Sequence, residues 1–378
     1  MPRVYLDHAS TTPPRPEALA ALSTWSSLPA ADPGRLHHEG RLVRDALEDA
    51  RRQVGDLLAV SAREVVFTSG ATEAINAAVW GATRRAPGAP VLVADVEHSA
   101  VREASARLAP TETLPVDAAA RLDVDALGDR LRVGPAPALV HCQWANHEVG
   151  TLQAVDRIVG LCREAGVPVH VDAAAACGHV ALDLGALGAD LVSVSAHKLG
   201  GVPGAGALVV RRGSRFDPLL VGGEQERGRR AGFEAVPALM AFGAAAAALQ
   251  ADGRRLLHTE AQASRALVEA LVAAATNLEG VGVVGPPAGE RLPHLVCLGV
   301  EGVEAEPVLI GLDRAGVAVH SGSACAAESI EPSPVLEAMG VDPSHSLRVS
   351  VGWTSSQRDV EAFAASFWTV VEELRMLR

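Results

Sequence analysis

Between residues 65 and 211, short apolar runs alternate with longer stretches in which apolar positions recur every three or four residues. The apolar runs at 65–67, 90–94, 138–142, 167–171, 191–195 and 207–211 predict buried strands. The segments 72–83, 99–108, 124–131 and 155–164 predict helices between them. Strands that alternate with helices imply an α/β fold with a mostly parallel central sheet covered on both faces. Such a sheet binds ligands beyond the carboxyl ends of its strands.

The pattern changes after about residue 250. Long helical stretches at 254–275 and 356–377 flank short strands at 281–284, 294–299 and 347–351, which predicts a second, smaller α+β domain. The Ala-rich run 236–249 carries Pro237 and falls short of the ~20 residues that cross a bilayer, so it reads as a buried helix. The chain has 378 residues, enough for two domains. Its formal charge of -12 argues against direct binding to nucleic acid or to an anionic membrane. The N-terminus shows no apolar targeting segment, and the five cysteines form no CxxC pair. These features predict a cytoplasmic protein with reduced thiols and no metal site.

Four segments carry candidate chemistry. Lys198 follows an apolar strand and precedes a Gly-rich bend, and it is the one lysine in the sequence. A lysine there can lose its proton by desolvation and form a Schiff base, which arginine cannot do. Alone, the segment also reads as a surface turn. Asp172 ends a strongly apolar strand, where a carboxylate is costly unless it meets a cation such as a pyridinium. The run from Phe67 to Asn76 leads from a strand through Ser69, Gly70, Ala71 and Thr72 into a helix, a pattern that suits a phosphate. A plain helix cap by Ser69 or Thr72 is the alternative. Cys325 lies in a Ser- and Gly-rich segment, a context for a solvent-reachable nucleophile and not for a core thiol.

Taken in order, these motifs resemble the cysteine desulfurases of the class V aminotransferase group, fold type I enzymes that use pyridoxal 5'-phosphate (PLP). The likeness spans nearly the whole chain. It includes YLDHASTTP from Tyr5, FTSGATEAIN from Phe67, Glu97-His98, NHEVG from Asn146, HVDA ending on Asp172, SAHK ending on Lys198, Glu226-Arg227-Gly228, SGSAC ending on Cys325, and Leu347-Arg348. The spacing from Cys325 to Glu331-Pro332-Ser333 resembles the subgroup with the longer cysteine loop.

The resemblance implies a large PLP-binding domain over 14–250 and a small domain from 1–13 and 251–378 that carries the cysteine loop. It implies that Lys198 holds the cofactor and moves protons, that Asp172 pairs the pyridinium, and that His98 stacks on the ring and serves in acid–base steps. Ala71, Thr72, Ser195 and His197 are implied at the phosphate, His147 at the ring, and Arg348 and Asp32 at the substrate. Cys325 would take sulfur from L-cysteine as a persulfide and release alanine. The implied partners are a protein sulfur acceptor or iron–sulfur scaffold and a second copy of the chain.

The sequence departs from the family pattern at several places. His147 stands where a second Asn is usual, Ala175 where a Gln is, Phe233 where a Thr is, Asp32 where an Asn is, and Trp353 where an Arg is. A hydrogen bond to a charged group is worth about 1.5–3 kcal/mol, so these changes predict a weaker hold on PLP. Another PLP lyase or transaminase acting on selenocysteine or cysteine sulfinate, or a weakened sulfur-relay scaffold, are the competing readings.

Overall fold

The computed structural model describes residues 3–28, 31–321 and 332–377. Seven strands form the main sheet in the order Val65–Thr68, Gly206–Val210, Leu191–Ser195, Val169–Asp172, Leu139–Gln143, Val91–Ala94, Thr111–Leu114. All pairings are parallel except those of Gly206–Val210, which runs antiparallel to both neighbours. Six strands are buried at every position, which is why they read as unbroken apolar runs. Their side chains still alternate between two cores. Val65, Phe67, Val192, Val194, Leu92 and Val140 face one layer of helices, and Val66, Leu208, Leu191, Val91, Val93 and Leu139 face the other.

The strand Thr111–Leu114 was not expected. It lies at the sheet edge with Thr111 and Thr113 exposed, so it shows no apolar run. The helices Ala71–Arg85, Ser99–Leu108, Val124–Arg132 and Val155–Ala165 match the expected segments within two residues at each end. Helices Pro16–Ser27 and His38–Leu58 pack against the helical stretch Val236–Ala275. That stretch contains both expected helices, 236–249 and 254–275. They join across a break where Asp252, Gly253 and Arg254 have φ of 50°, 67° and 66°.

A second sheet, fully antiparallel, has the order His320–Ser321, Ser346–Ser350, Leu295–Val300, Val281–Val284. Beside it, Val4–Tyr5 pairs in parallel with Val317–Ala318. Val4 and Leu6 therefore share a core with Val296, Leu298, Val349, Phe363 and Phe367. The chain start is thus packed with residues that follow more than 250 positions later. Among the described residues, no helix is long and apolar enough to cross a membrane.

Candidate active site

The carboxyl ends of the central strands converge on a cavity of about 450 Å³. Its walls bring together Lys198, Asp172, His98, His147, Thr72 and Arg348, which lie up to 276 residues apart in sequence (348 − 72). Ala71, Ser195, His197 and Ala175 line it as well.

Lys198 ends a short 3₁₀ turn, Ala196–Lys198, directly after the strand Leu191–Ser195, and it is half-buried. The turn is real, but it faces the cavity, and the surface-turn reading is set aside. The adjacent His197 imidazole is pushed down to about 4, first by burial and then by the Lys198 charge. Asp172 closes the strand Val169–Asp172. Its Oδ1 accepts hydrogen bonds from Ser193 Oγ at 2.8 Å and from Ala174 N at 3.0 Å. Both donors are neutral, and the carboxylate lies on the wall of the cavity.

Helix Ala71–Arg85 begins at Gly70 with no side-chain cap, so neither Ser69 nor Thr72 caps it. Its first amides, with the Thr72 side chain nearby, form an anion site of the kind helix starts provide. The approach is close. A Cβ on Gly206 would sit 2.6 Å from Gly70 Cα and 2.8 Å from Val194 O, so only glycine fits. Glu73, the third residue of the helix, accepts from Ser69 N at 2.9 Å and pairs with Arg230 at 2.9 Å, which offsets its charge near the cradle.

His98 is the N-cap of Ser99–Leu108, where its Nδ1 accepts from Ala100 N at 3.1 Å. His147 is buried with its ring edge-on to His98, centroids 5.1 Å apart. Burial first, then the nearby His98, Lys198 and Arg348 charges, hold the His147 imidazole well below its ordinary range. Arg348 is 1% exposed. Its Nη1 donates to His147 O at 3.0 Å, and its Nη2 donates to Asp7 Oδ1 at 2.9 Å and Ser10 Oγ at 2.7 Å. Its Nε has no partner among the described residues, so the guanidinium retains an unused donor.

Asp32 is a correction. It lies in a separate groove with Arg44, Glu48 and Glu226, accepts from Gly34 N at 2.7 Å and pairs with Arg35 at 3.0 Å. Its local turn uses the carboxylate, and within this chain it does not reach the cavity. Phe233 is 63% exposed and also lies outside the cavity wall. Trp353 donates to Pro13 O at 2.9 Å under the Arg15 guanidinium, a packing role. Cys325 lies outside the described residues. The four other cysteines are buried, and burial pushes the Cys162, Cys177 and Cys297 thiols up to about 12, the reverse of an activated nucleophile.

Sequence reasoning gave no role to several residues that build the site. Asp7 and Ser10 fix Arg348 from the N-terminal motif. Glu97 is buried, accepts from Gln143 N at 2.7 Å and is pushed up to about 8 by burial. Glu148 accepts from Ser333 Oγ at 2.5 Å, which ties the NHEVG segment to the residue after Pro332. Asp7, Glu97 and Glu148 are acidic positions inside the quoted motifs, and that was the available signal.

Residues 4–363 match the family described as Aminotransferase class-V. The chain belongs to that family. It is 37% identical to a protein named cysteine desulfurase from Cereibacter sphaeroides, over all of this chain and 98% of that one. A protein named cysteine desulfurase IscS from Dictyoglomus turgidum is 33% identical, over 99% of this chain and 96% of that one. A solved NifS-like protein from Rickettsia africae superposes with a TM-score of 0.89 at 26% identity, covering 98% of this chain and 99% of that one. SspA in complex with cysteine gives 0.80 at 26% identity, covering 92% and 99%. This family relationship agrees with the α/β fold and the mostly parallel sheet expected from the sequence.

The donor set fits the family's cofactor. A buried carboxylate with neutral donors suits a pyridinium, an uncapped helix start with hydroxyls suits a phosphate, and a half-buried amine suits the cofactor's carbonyl carbon.

Proposed function

We propose that this chain is a PLP-dependent cysteine desulfurase, which removes sulfur from L-cysteine and releases L-alanine. One observation carries the reading. Arg348, a buried guanidinium clamped by Asp7 and Ser10, lines one cavity with the single lysine and with Asp172. That combination binds an amino-acid carboxylate beside a PLP site. The full-length likeness to proteins named cysteine desulfurase supports the choice of substrate.

PLP, when bound, supplies an electron sink next to the substrate's Cα. Lys198 would hold it through Nζ and would move a proton at that atom. Asp172, held in place by Ser193 and Ala174 N, would pair with the ring nitrogen. Ala71 and Thr72 with Ser195 and His197 bind the phosphate. His98, fixed by its cap to Ala100, would stack its ring on the cofactor. Arg348 orients the substrate through its carboxylate. Cys325 as a thiolate attacks the substrate's sulfur: the new S–S bond forms, the substrate's C–S bond breaks, and the carbon takes a proton to become alanine. The four buried thiols described are unsuited to that step.

In this reading residues 14–250 form the cofactor-binding domain, and 1–13 with 251–378 form the domain that presents Arg348 and Cys325. The enzyme works in the cytoplasm as a homodimer and passes sulfur to a protein acceptor, such as an iron–sulfur scaffold, without touching nucleic acid itself. The negative charge supports that last point. Sedimentation at micromolar concentration tests the dimer, and an active monomer would remove it.

Purified protein is expected to be yellow, and borohydride should fix PLP on the peptide that contains Lys198. Alanine should form from L-cysteine far faster than from L-cysteine sulfinate. Colourless protein that ignores added PLP, or label on another peptide, would sink the reading.

A further inference from the structure

The turn that carries Lys198 is held from outside at four consecutive carbonyls. Thr12 N donates to His197 O at 3.1 Å, and His179 Nε2 donates to Lys198 O at 3.1 Å. Arg15 Nε donates to Leu199 O at 3.0 Å, and Arg15 N donates to Gly200 O at 2.7 Å. Within the turn, Leu199 N and Gly201 N both bond to Ala196 O, at 3.1 Å and 2.9 Å. The hydrogen bonds of a short 3₁₀ turn are poorly aligned, so its neighbours set its shape. The grip on the peptide of the lysine itself comes from His179.

Several features fit His179 for that contact. A carbonyl oxygen can only accept, so the ring proton lies on Nε2. Burial first, then the Arg15, His8 and Lys198 charges, outweigh the bond to Lys198 O and push the imidazole down to about 3. The donor is therefore neutral at working pH. The ring stacks on His294, centroids 3.5 Å apart and planes 13° from parallel, which fixes its orientation. The preceding residue is Gly178, with φ of 87°. A Cβ there would sit 2.5 Å from Leu199 Cβ, so glycine lets this segment close on the turn.

Lysine carries its amine on a flexible four-carbon stem. In the proposed reaction that amine leaves the cofactor in each cycle and then moves a proton at the substrate. The place it reaches is defined only as well as its own backbone is. We propose that His179 is a positioning residue for Lys198: its Nε2–H, donated to Lys198 O, holds the lysine peptide so that the released amine stays within reach of the atoms it serves. The inference rests on the reading of Lys198 as the cofactor lysine. His179 is not on the wall of the large cavity, so it acts through Lys198 and not on the substrate.

The test compares His179→Gln, His179→Asn and His179→Phe. Gln places an amide N–H near the position of Nε2, Asn falls short of Lys198 O, and Phe keeps the stack on His294 without a donor. Lys198 is the one lysine in the chain, so protein labelled with carbon-13 at lysine Cε gives a single lysine signal. In the cofactor-free protein, Gln should keep the wild-type shift and relaxation. Asn and Phe should move the signal toward that of free lysine and make it more mobile. In the PLP-loaded enzyme, kcat for L-cysteine should fall about 10- to 100-fold in Asn and Phe while KM stays within about twofold, because a small misplacement costs rate more than binding. Exchange of the L-alanine Cα hydrogen in heavy water should slow by the same factor, and Gln should recover most of both losses.

Equal losses in all three variants mark a packing role and overturn the proposal. A wild-type lysine signal with wild-type kcat in Asn and Phe overturns it as well. If Phe does not fold, Gln and Asn differ by a single methylene and still decide between these outcomes. Borohydride separates this failure from failure of the site reading. Wild-type protein that fixes no PLP on Lys198 condemns the site, whereas variants that load normally and keep the wild-type signal condemn His179 alone.

Discussion

At the scale of single residues, the account depends on how each charge is held. Arg348 is bound on two sides, by Asp7 and Ser10 through Nη2 and by His147 O through Nη1, with Nε left over. The clamp orders the guanidinium before any substrate arrives, which lowers the entropic cost of docking. Arg348→Ala should cut kcat/KM for L-cysteine roughly 10- to 100-fold, the equivalent of the ~1.5–3 kcal/mol carried by charge-assisted hydrogen bonds. PLP on Lys198 should survive the change. A variant that keeps full kcat/KM would remove Arg348 from the substrate's path. Lys198 and Arg348 were legible in the sequence because each sits in a distinctive local motif. The clamp was not, since Asp7 and Arg348 stand 341 positions apart and meet only once the chain between them has folded. Asp32 differs for a local reason. Its motif resembles the family's, but its carboxylate is engaged by its own turn at Gly34 and Arg35.

At the scale of elements, the site is made where strands end and helices begin. Gly70 and Gly206 show how tight that junction is. A Cβ on Gly206 meets Gly70 Cα at 2.6 Å, Gly70 C at 2.7 Å and Val194 O at 2.8 Å, all backbone atoms that cannot swing aside. Gly206→Ala should therefore cost about 1–3 kcal/mol of stability by overpacking. It should also shift the start of helix Ala71–Arg85, so PLP should dissociate faster. A thermal midpoint and a PLP affinity both equal to the wild type's would show that the junction has slack. The central strands were readable because burial on both faces makes apolar runs. The edge strand Thr111–Leu114 and the two-residue pair Val4–Tyr5 with Val317–Ala318 were not, because neither carries enough sequence to form a pattern. The kink at Ala251–Arg254 fell where the helical pattern changed character, close to residue 250.

At the scale of the whole molecule, the chain buries many neutral imidazoles. Burial pushes His170 down to about 4 and His179 to about 3, and holds His141 and His294 well below the ordinary range. His141 and His170 share one hydrogen bond, Nδ1 to Nδ1 at 2.9 Å, which requires the accepting ring to stay neutral. Each folded value lies below the unfolded one near ~6.5, so the unfolded chain binds more protons in that window. Stability should be full above about pH 6.5 and fall as pH drops toward 4, by roughly 1.4 kcal/mol per unit for each such histidine. Glu97, raised to about 8, works in the opposite direction: its contribution fades as pH rises from about 4.5 to 8. Thermal midpoints recorded from pH 4 to pH 9 should therefore drop steeply on the acid side. A profile level down to pH 4 would mean these rings are hydrated or charged in the folded state. The function as a whole turns on a sulfur atom reaching Cys325. Mass spectrometry of the PLP-loaded protein after brief exposure to L-cysteine is the most direct measurement. The account predicts a gain of one sulfur atom on the peptide containing Cys325, removed by a reducing thiol and absent in Cys325→Ser, with alanine released by the wild type alone. Alanine release by Cys325→Ser at the wild-type rate, with no added sulfur on the wild-type peptide, would contradict it.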